Sequence, residues 1–66
     1  MPFVHIQMVE GHSPEKKDEI AKRVSAAVSD VTGLPSDAVW VVVEDVKPQE
    51  WYVGGRSVKS IRAQPG

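Results

Sequence analysis

Met1-Pro2-Phe3-Val4-His5-Ile6-Gln7-Met8-Val9 alternates from residue 3 to residue 9, with Val4, Ile6 and Met8 on one face and His5 and Gln7 on the other. A period of two is that of a half-buried strand. The strand opens on Pro2, directly behind the initiator methionine. Removal of Met1, usual when the next residue is small, leaves Pro2 as a secondary amine, the only base of that kind a protein chain supplies. Pro2 also has a plainer account, since proline is acceptable at the first residue of a strand and stiffens the chain there.

Outward from this strand, Glu10-Gly11-His12 breaks the alternation, and Ser13-Pro14 starts a helix: a hydroxyl to cap free amides, then a proline whose missing N–H is not needed at the first helical position. Glu15, Asp18 and Glu19 suit the positive end of the helix dipole. Asp18 with Lys22 and Glu19 with Arg23 are acid-first pairs four residues apart. Ile20, Ala21, Val24, Ala27, Val28 and Val31 form an apolar stripe at helical spacing. The helix is expected over 14 to 32, with Gly33 as a left-handed cap and Leu34-Pro35-Ser36-Asp37 unable to extend it.

Residues 39 to 46, with Val39, Val41, Val42, Val43 and Val46, read as a second strand so apolar that burial on both sides is expected. Strand, long helix, strand is the βαβ unit, whose crossover lets its two strands lie parallel. After a turn at Lys47-Pro48-Gln49, residues 50 to 55 read as a short extended piece ending at Gly54-Gly55. Residues 56 to 62 alternate weakly through Val58 and Ile61, and 63–66 read as a frayed tail. The expectation is an α+β fold: a single βαβ unit with parallel strands and a short C-terminal hairpin, in one domain spanning 1–66.

Sixty-six residues bury only ~60% of the surface an unfolded chain exposes, so the unit is marginal alone. Small domains add disulfides, a metal or partner subunits. There is no cysteine, and His5 and His12 are too few for a closed zinc site. Oligomerisation remains, with the face bearing Trp40 and Val42 meeting another copy. A net charge of −1 with both signs interspersed gives no footprint for nucleic acid and no polybasic membrane patch. With no long apolar run or signal peptide, the reading is a cytoplasmic protein.

Pro2 opening a strand, Glu10-Gly11 before a capped helix, the valine-rich second strand, the aromatic Trp51 and the pair Gly54-Gly55 together resemble the small 4-oxalocrotonate tautomerase family. The resemblance runs from residue 2 to about residue 62 without a gap. It implies a tautomerase βαβ fold, a homohexamer built as a trimer of dimers, active sites shared between subunits, and no cofactor. It also implies that Pro2 is a catalytic base moving a proton between an enol or dienol and its ketone, on a 2-hydroxydienoate or aryl-pyruvate-like substrate. Two other functions stay open: a non-catalytic oligomeric binding or structural module on the same scaffold, and Pro2 as a nucleophile that forms an iminium or hydrates an activated alkene.

A base working near neutral pH needs a pKa near 7, which an amine reaches in a dry pocket or beside positive charge. Trp40 and Trp51, with Val53 close by, supply dry walls if they converge on Pro2 in the oligomer; interface packing is the other account of the two tryptophans, and both can hold. The resemblance leads one to expect arginines where this chain has His12 and Trp40. In the family those arginines bind the carboxylates of a diacid, and neither replacement presents a guanidinium's permanently charged fork. His12 is therefore a substrate-contacting candidate, or only a polar loop residue. His5 reads as a satisfied interface histidine. Of Arg56, Lys59 and Arg62, Arg56 is the candidate for a neighbouring pocket, because Gly54-Gly55 frees the backbone before it; solvated surface charge is the alternative.

Overall fold

The alternating stretch forms β1 (Phe3–Val9), and the valine-rich run forms β2 (Trp40–Val46), in a computed structural model that describes residues 2–63. The two strands pair in parallel, in register from Phe3 opposite Trp40 to Val9 opposite Val46. The ladder runs one bond further at each end: the Trp40 N–H donates to the Pro2 carbonyl at 3.0 Å, and the Glu10 N–H to the Val46 carbonyl at 2.9 Å.

Between the strands lies α1 (Pro14–Thr32). Its start is set as expected: the Lys16 N–H donates to Ser13 Oγ at 3.2 Å, and Pro14 occupies the first turn. Its end is set by Gly33, whose φ of 76° places its N–H on the Ser29 carbonyl at 2.9 Å. The helix packs chiefly on β2, and Lys17 Nζ reaches Asp45 Oδ2 at 2.5 Å to tie its first half to the far end of that strand. Of the two acid-first pairs, only Glu19 with Arg23 closes among the described residues, at 2.9 Å.

One expectation on burial is corrected, and a second is met within the chain on one face only. The apolar stripe is narrower than its periodicity suggests: Ile20, Ala21, Val24 and Val28 are half-buried, whereas Ala27 is exposed and Val31 is 88% exposed. The second strand is covered on one side only. Val39, just ahead of β2, is the buried apolar residue, Val41 and Val43 are half-buried, and Trp40 and Val42 stand exposed beside Phe3 on the outer face of the sheet. One helix covers one face of a sheet, and a chain with one helix of this length has nothing to place on the other.

Beyond β2 the chain makes a 3-10 turn (Pro48–Glu50) and a hairpin of β3 (Tyr52–Val53) and β4 (Arg56–Ser57), paired antiparallel. Gly54 and Gly55 both take positive φ, 59° and 83°, which a two-residue turn matching the strand twist requires. The weak alternation read over 56 to 62 is overruled: Val58–Ala63 is a second helix, α2. Val58 and Ile61 are spaced by three, as one helical turn also demands, and Ser57 Oγ accepts the Ser60 N–H at 3.1 Å as a cap. Ala63 closes α2 instead of fraying, and the rest of the expected tail lies outside the described residues.

The hairpin and α2 pack mainly on each other and on the turn before them, not on the βαβ unit. The radius of gyration is 15.3 Å, against about 11 Å for a compact chain of this length. The molecule is a βαβ body with an arm, its outer sheet face bare.

Candidate active site

Parallel pairing decides which residues share an end of the molecule. Pro2 lies at the start of β1, so its neighbours are the start of β2 and the residue before it. The alternation that turns Val4 and Ile6 toward the helix carries Pro2 to the same side, half-buried, level with the buried Val39. The Pro2 carbonyl is held by the Trp40 N–H. The Trp40 indole, opposite Phe3 in the register, belongs to the other face and is 56% exposed. A single chain therefore does not bring Trp40 over the Pro2 ring.

The remaining candidates sit at the other end. A strand of seven residues spans about 20 Å at ~3.3 Å per residue, and His12 follows the far end of β1. Trp51 is half-buried at the base of the arm, its carbonyl accepting the Val58 N–H at 2.7 Å. Val53, 57% exposed, faces Arg56 across the hairpin turn, and Arg56 is exposed. His12, Trp51, Val53 and Arg56 are thus gathered toward one end and Pro2 with Trp40 toward the other.

The far end carries a feature that inspection of single residues missed. His12, Lys16, Glu19, Ile20 and Arg23 line a groove of about 280 Å³ along the open flank of α1. Their spacing of three and four residues was the available signal. Within the groove Arg23 Nε donates to Glu19 Oε2 at 2.9 Å. That hydrogen bond, with the guanidinium's charge behind it, holds the Glu19 carboxyl below its ordinary pKa of 4.5.

His5 is occupied. Its Nε2 lies 3.2 Å from Glu44 Oε1 on the outer sheet face, and Gln7 Nε2 donates to the same oxygen at 2.9 Å. Among the described residues no three His, Asp or Glu side chains are placed to hold a metal ion, and no helix is long and apolar enough to cross a membrane.

Comparison with known proteins bears on this arrangement. The family model described as "Tautomerase enzyme" matches residues 2–61. A probable tautomerase of Bacillus cereus is 39% identical over 56 residues, covering 85% of this chain and 92% of that protein. The 2-hydroxymuconate tautomerase of Comamonas testosteroni is 38% identical over 61 residues, covering 92% and 97%. Among solved structures, TomN, a 4-oxalocrotonate tautomerase homologue in tomaymycin biosynthesis, superposes with a TM-score of 0.95 at 38% identity, covering 98% of this chain and all of that one. A heterohexameric 4-oxalocrotonate tautomerase of Chloroflexus aurantiacus superposes with a TM-score of 0.88 at 37% identity, covering 94% of this chain and 100% of its own. The βαβ unit with its C-terminal hairpin and these relationships together make the chain a member of the 4-oxalocrotonate tautomerase family, an isomerase.

Proposed function

We propose that Pro2, freed of Met1, is the general base of a tautomerase acting on an enolisable 2-oxo acid of the aryl-pyruvate or 2-hydroxydienoate kind. The secondary amine takes the proton of the enol hydroxyl, and the resulting ammonium returns it to carbon 3 of a simple enol or carbon 5 of a dienol. The proton is conserved and the amine is regenerated. The observation that carries this reading is the seating of Pro2: a half-buried ring beside buried Val39, with its carbonyl fixed by the Trp40 N–H. A base working near neutral pH has to be unprotonated there, and burial disfavours the protonated form of an amine.

The reading includes assembly. Pro2 and the groove at His12 lie at opposite ends of one chain, so a complete site needs Pro2 of one copy to meet the groove or arm of another. A homohexamer arranged as a trimer of dimers would do this. The bare outer face at Phe3, Trp40 and Val42 is the surface it would cover. A neighbour's Trp40, a neighbour's Trp51 and Val53, and Arg56 are then the walls and cation available to the substrate.

Intact mass and rate test this together. The chain without Met1 is expected to convert the enol of phenylpyruvate to the ketone. A version carrying one residue ahead of Pro2, in which the nitrogen is an amide without basicity, is expected to lose that activity. Equal rates in both would remove Pro2 from the chemistry.

A further inference from the structure

The groove on the flank of α1 combines an apolar floor with an unequal set of charges. Ile20 is the apolar side chain among its lining residues, and Lys16 and Arg23, whose long stems can add apolar surface, border it. Of its cations, the Arg23 guanidinium is already spent on Glu19 at 2.9 Å. The neighbouring Lys17 is likewise tied to Asp45. Lys16 makes no salt bridge among the described residues, and it stands four residues after His12, whose ring adds a polar edge to the same groove. The Lys16 backbone is fixed by the Ser13 cap.

We infer that this groove binds the carboxylate end of a small amphipathic acid, with Lys16 as the cation that holds it and His12 beside it. The inference rests on the proposed assembly, taken in the form in which Pro2 of a second copy meets this groove, and it narrows the substrate class. One unspent ammonium above an apolar floor accommodates one carboxylate and an aryl or alkyl body. A second carboxylate directed along the groove meets the Glu19–Arg23 pair, which is electrically closed. At about 280 Å³, the space sits near the lower end of the ~300–1,000 Å³ of small-molecule sites. Lys16 is thereby a specificity-determining residue for monocarboxylates.

The experiment is an NMR titration of the isotope-labelled assembled protein with phenylpyruvate and with phenylacetone, the same body without the acid. The amide signals of His12 and Lys16 report binding. Lys16→Ala is expected to weaken phenylpyruvate binding about tenfold, the scale of one hydrogen bond to a charged group on an open surface. Lys16→Arg is expected to restore it, and phenylacetone to bind alike in all three. In the tautomerase assay the loss falls on KM. Lys16 is solvent-exposed on a helix and alanine is the stronger helix former, so the variant folds. Measuring rate and binding together in Pro2→Ala separates the two readings: an unchanged rate removes Pro2 as the base, whereas the Lys16 assignment stands or falls on the titration alone. Equal affinity of the native and Lys16→Ala proteins for phenylpyruvate, or phenylacetone binding as tightly as phenylpyruvate, overturns the assignment.

Discussion

The Trp40 N–H donates to the Pro2 carbonyl at 3.0 Å, one rung beyond the paired register of β1 and β2. The nitrogen of Pro2 is two bonds from the carbonyl carbon so held, and the ring fixes rotation about the N–Cα bond. The base proposed for Pro2 is thus tethered through a backbone contact, which does not depend on the side chain at position 40. Trp40, where the family resemblance sets an arginine, keeps this backbone contact with Pro2.

Replacing Pro2 by alanine leaves a primary amine with an added rotation. Enol-to-keto conversion of an aryl pyruvate is expected to fall by at least roughly tenfold, within the ~10²–10⁴ that a positioned general base contributes. Stopped-flow or initial-rate absorbance measures it, and unchanged rates would return Pro2 to the role of strand starter.

Assembly makes the second prediction. Phe3, Trp40 and Val42 expose an apolar surface on one side of a two-stranded sheet, and a contiguous exposed apolar patch marks an interaction surface. Sedimentation is expected to show an oligomer at micromolar concentration. Val42→Arg, which sets a charge in the middle of that face, is expected to shift it to smaller or unfolded species. A folded native monomer at that concentration would end both the interface and the shared site.

The βαβ order was legible because each signal was local and redundant: alternation at Val4, Ile6 and Met8, the Ser13-Pro14 start, and Gly33 at the stop. The helix at Val58–Ala63 was not, since Val58 and Ile61 fit two periods over so short a span and the deciding cap, Ser57, is a weak sign alone. The candidate site could be named as a set of residues but not as a place. His12, Trp51, Val53 and Arg56 can be named from sequence, yet that they lie across the length of β2 from Pro2 follows only from parallel pairing. Lys16 escaped notice because an exposed lysine in a first helical turn carries no mark until its neighbours' charges are seen to be spent.

The third prediction concerns Glu19, whose carboxyl Arg23 holds below 4.5 by hydrogen bond and charge. With the folded pKa lowered, the pair supports the native helix above the ordinary carboxylate range, and that support is lost as pH falls through the lowered value. Glu19 is fully exposed, so the effect on stability is small and screened by salt. NMR titration of the Glu19 side chain is expected to give a midpoint below 4.5 that rises in Arg23→Gln and in high salt. A midpoint indifferent to both would mean that the ion pair is not formed in solution.

The last prediction follows from His12 and Trp40. A diacid substrate loses a charge-assisted, bidentate contact at each position where the family resemblance sets an arginine, worth ~1.5–3 kcal/mol per hydrogen bond to a charged group. Dicarboxylates are therefore expected to be poor substrates and larger apolar carbonyl acids better ones. His12→Arg places a permanent cation at the mouth of the α1 groove and is expected to recover part of the dicarboxylate activity, seen first as a lowered KM. Trp40→Arg is expected to recover less, because the indole also belongs to the bare outer face that a second copy would cover. The measurement is kcat/KM on a dicarboxylate and on its monocarboxylate analogue, for the native chain and for His12→Arg. A strong native preference for the dicarboxylate would show that a further cation, Arg56 on the hairpin or Arg62 on α2, reaches the second acid group, and that the groove alone does not set the substrate's charge.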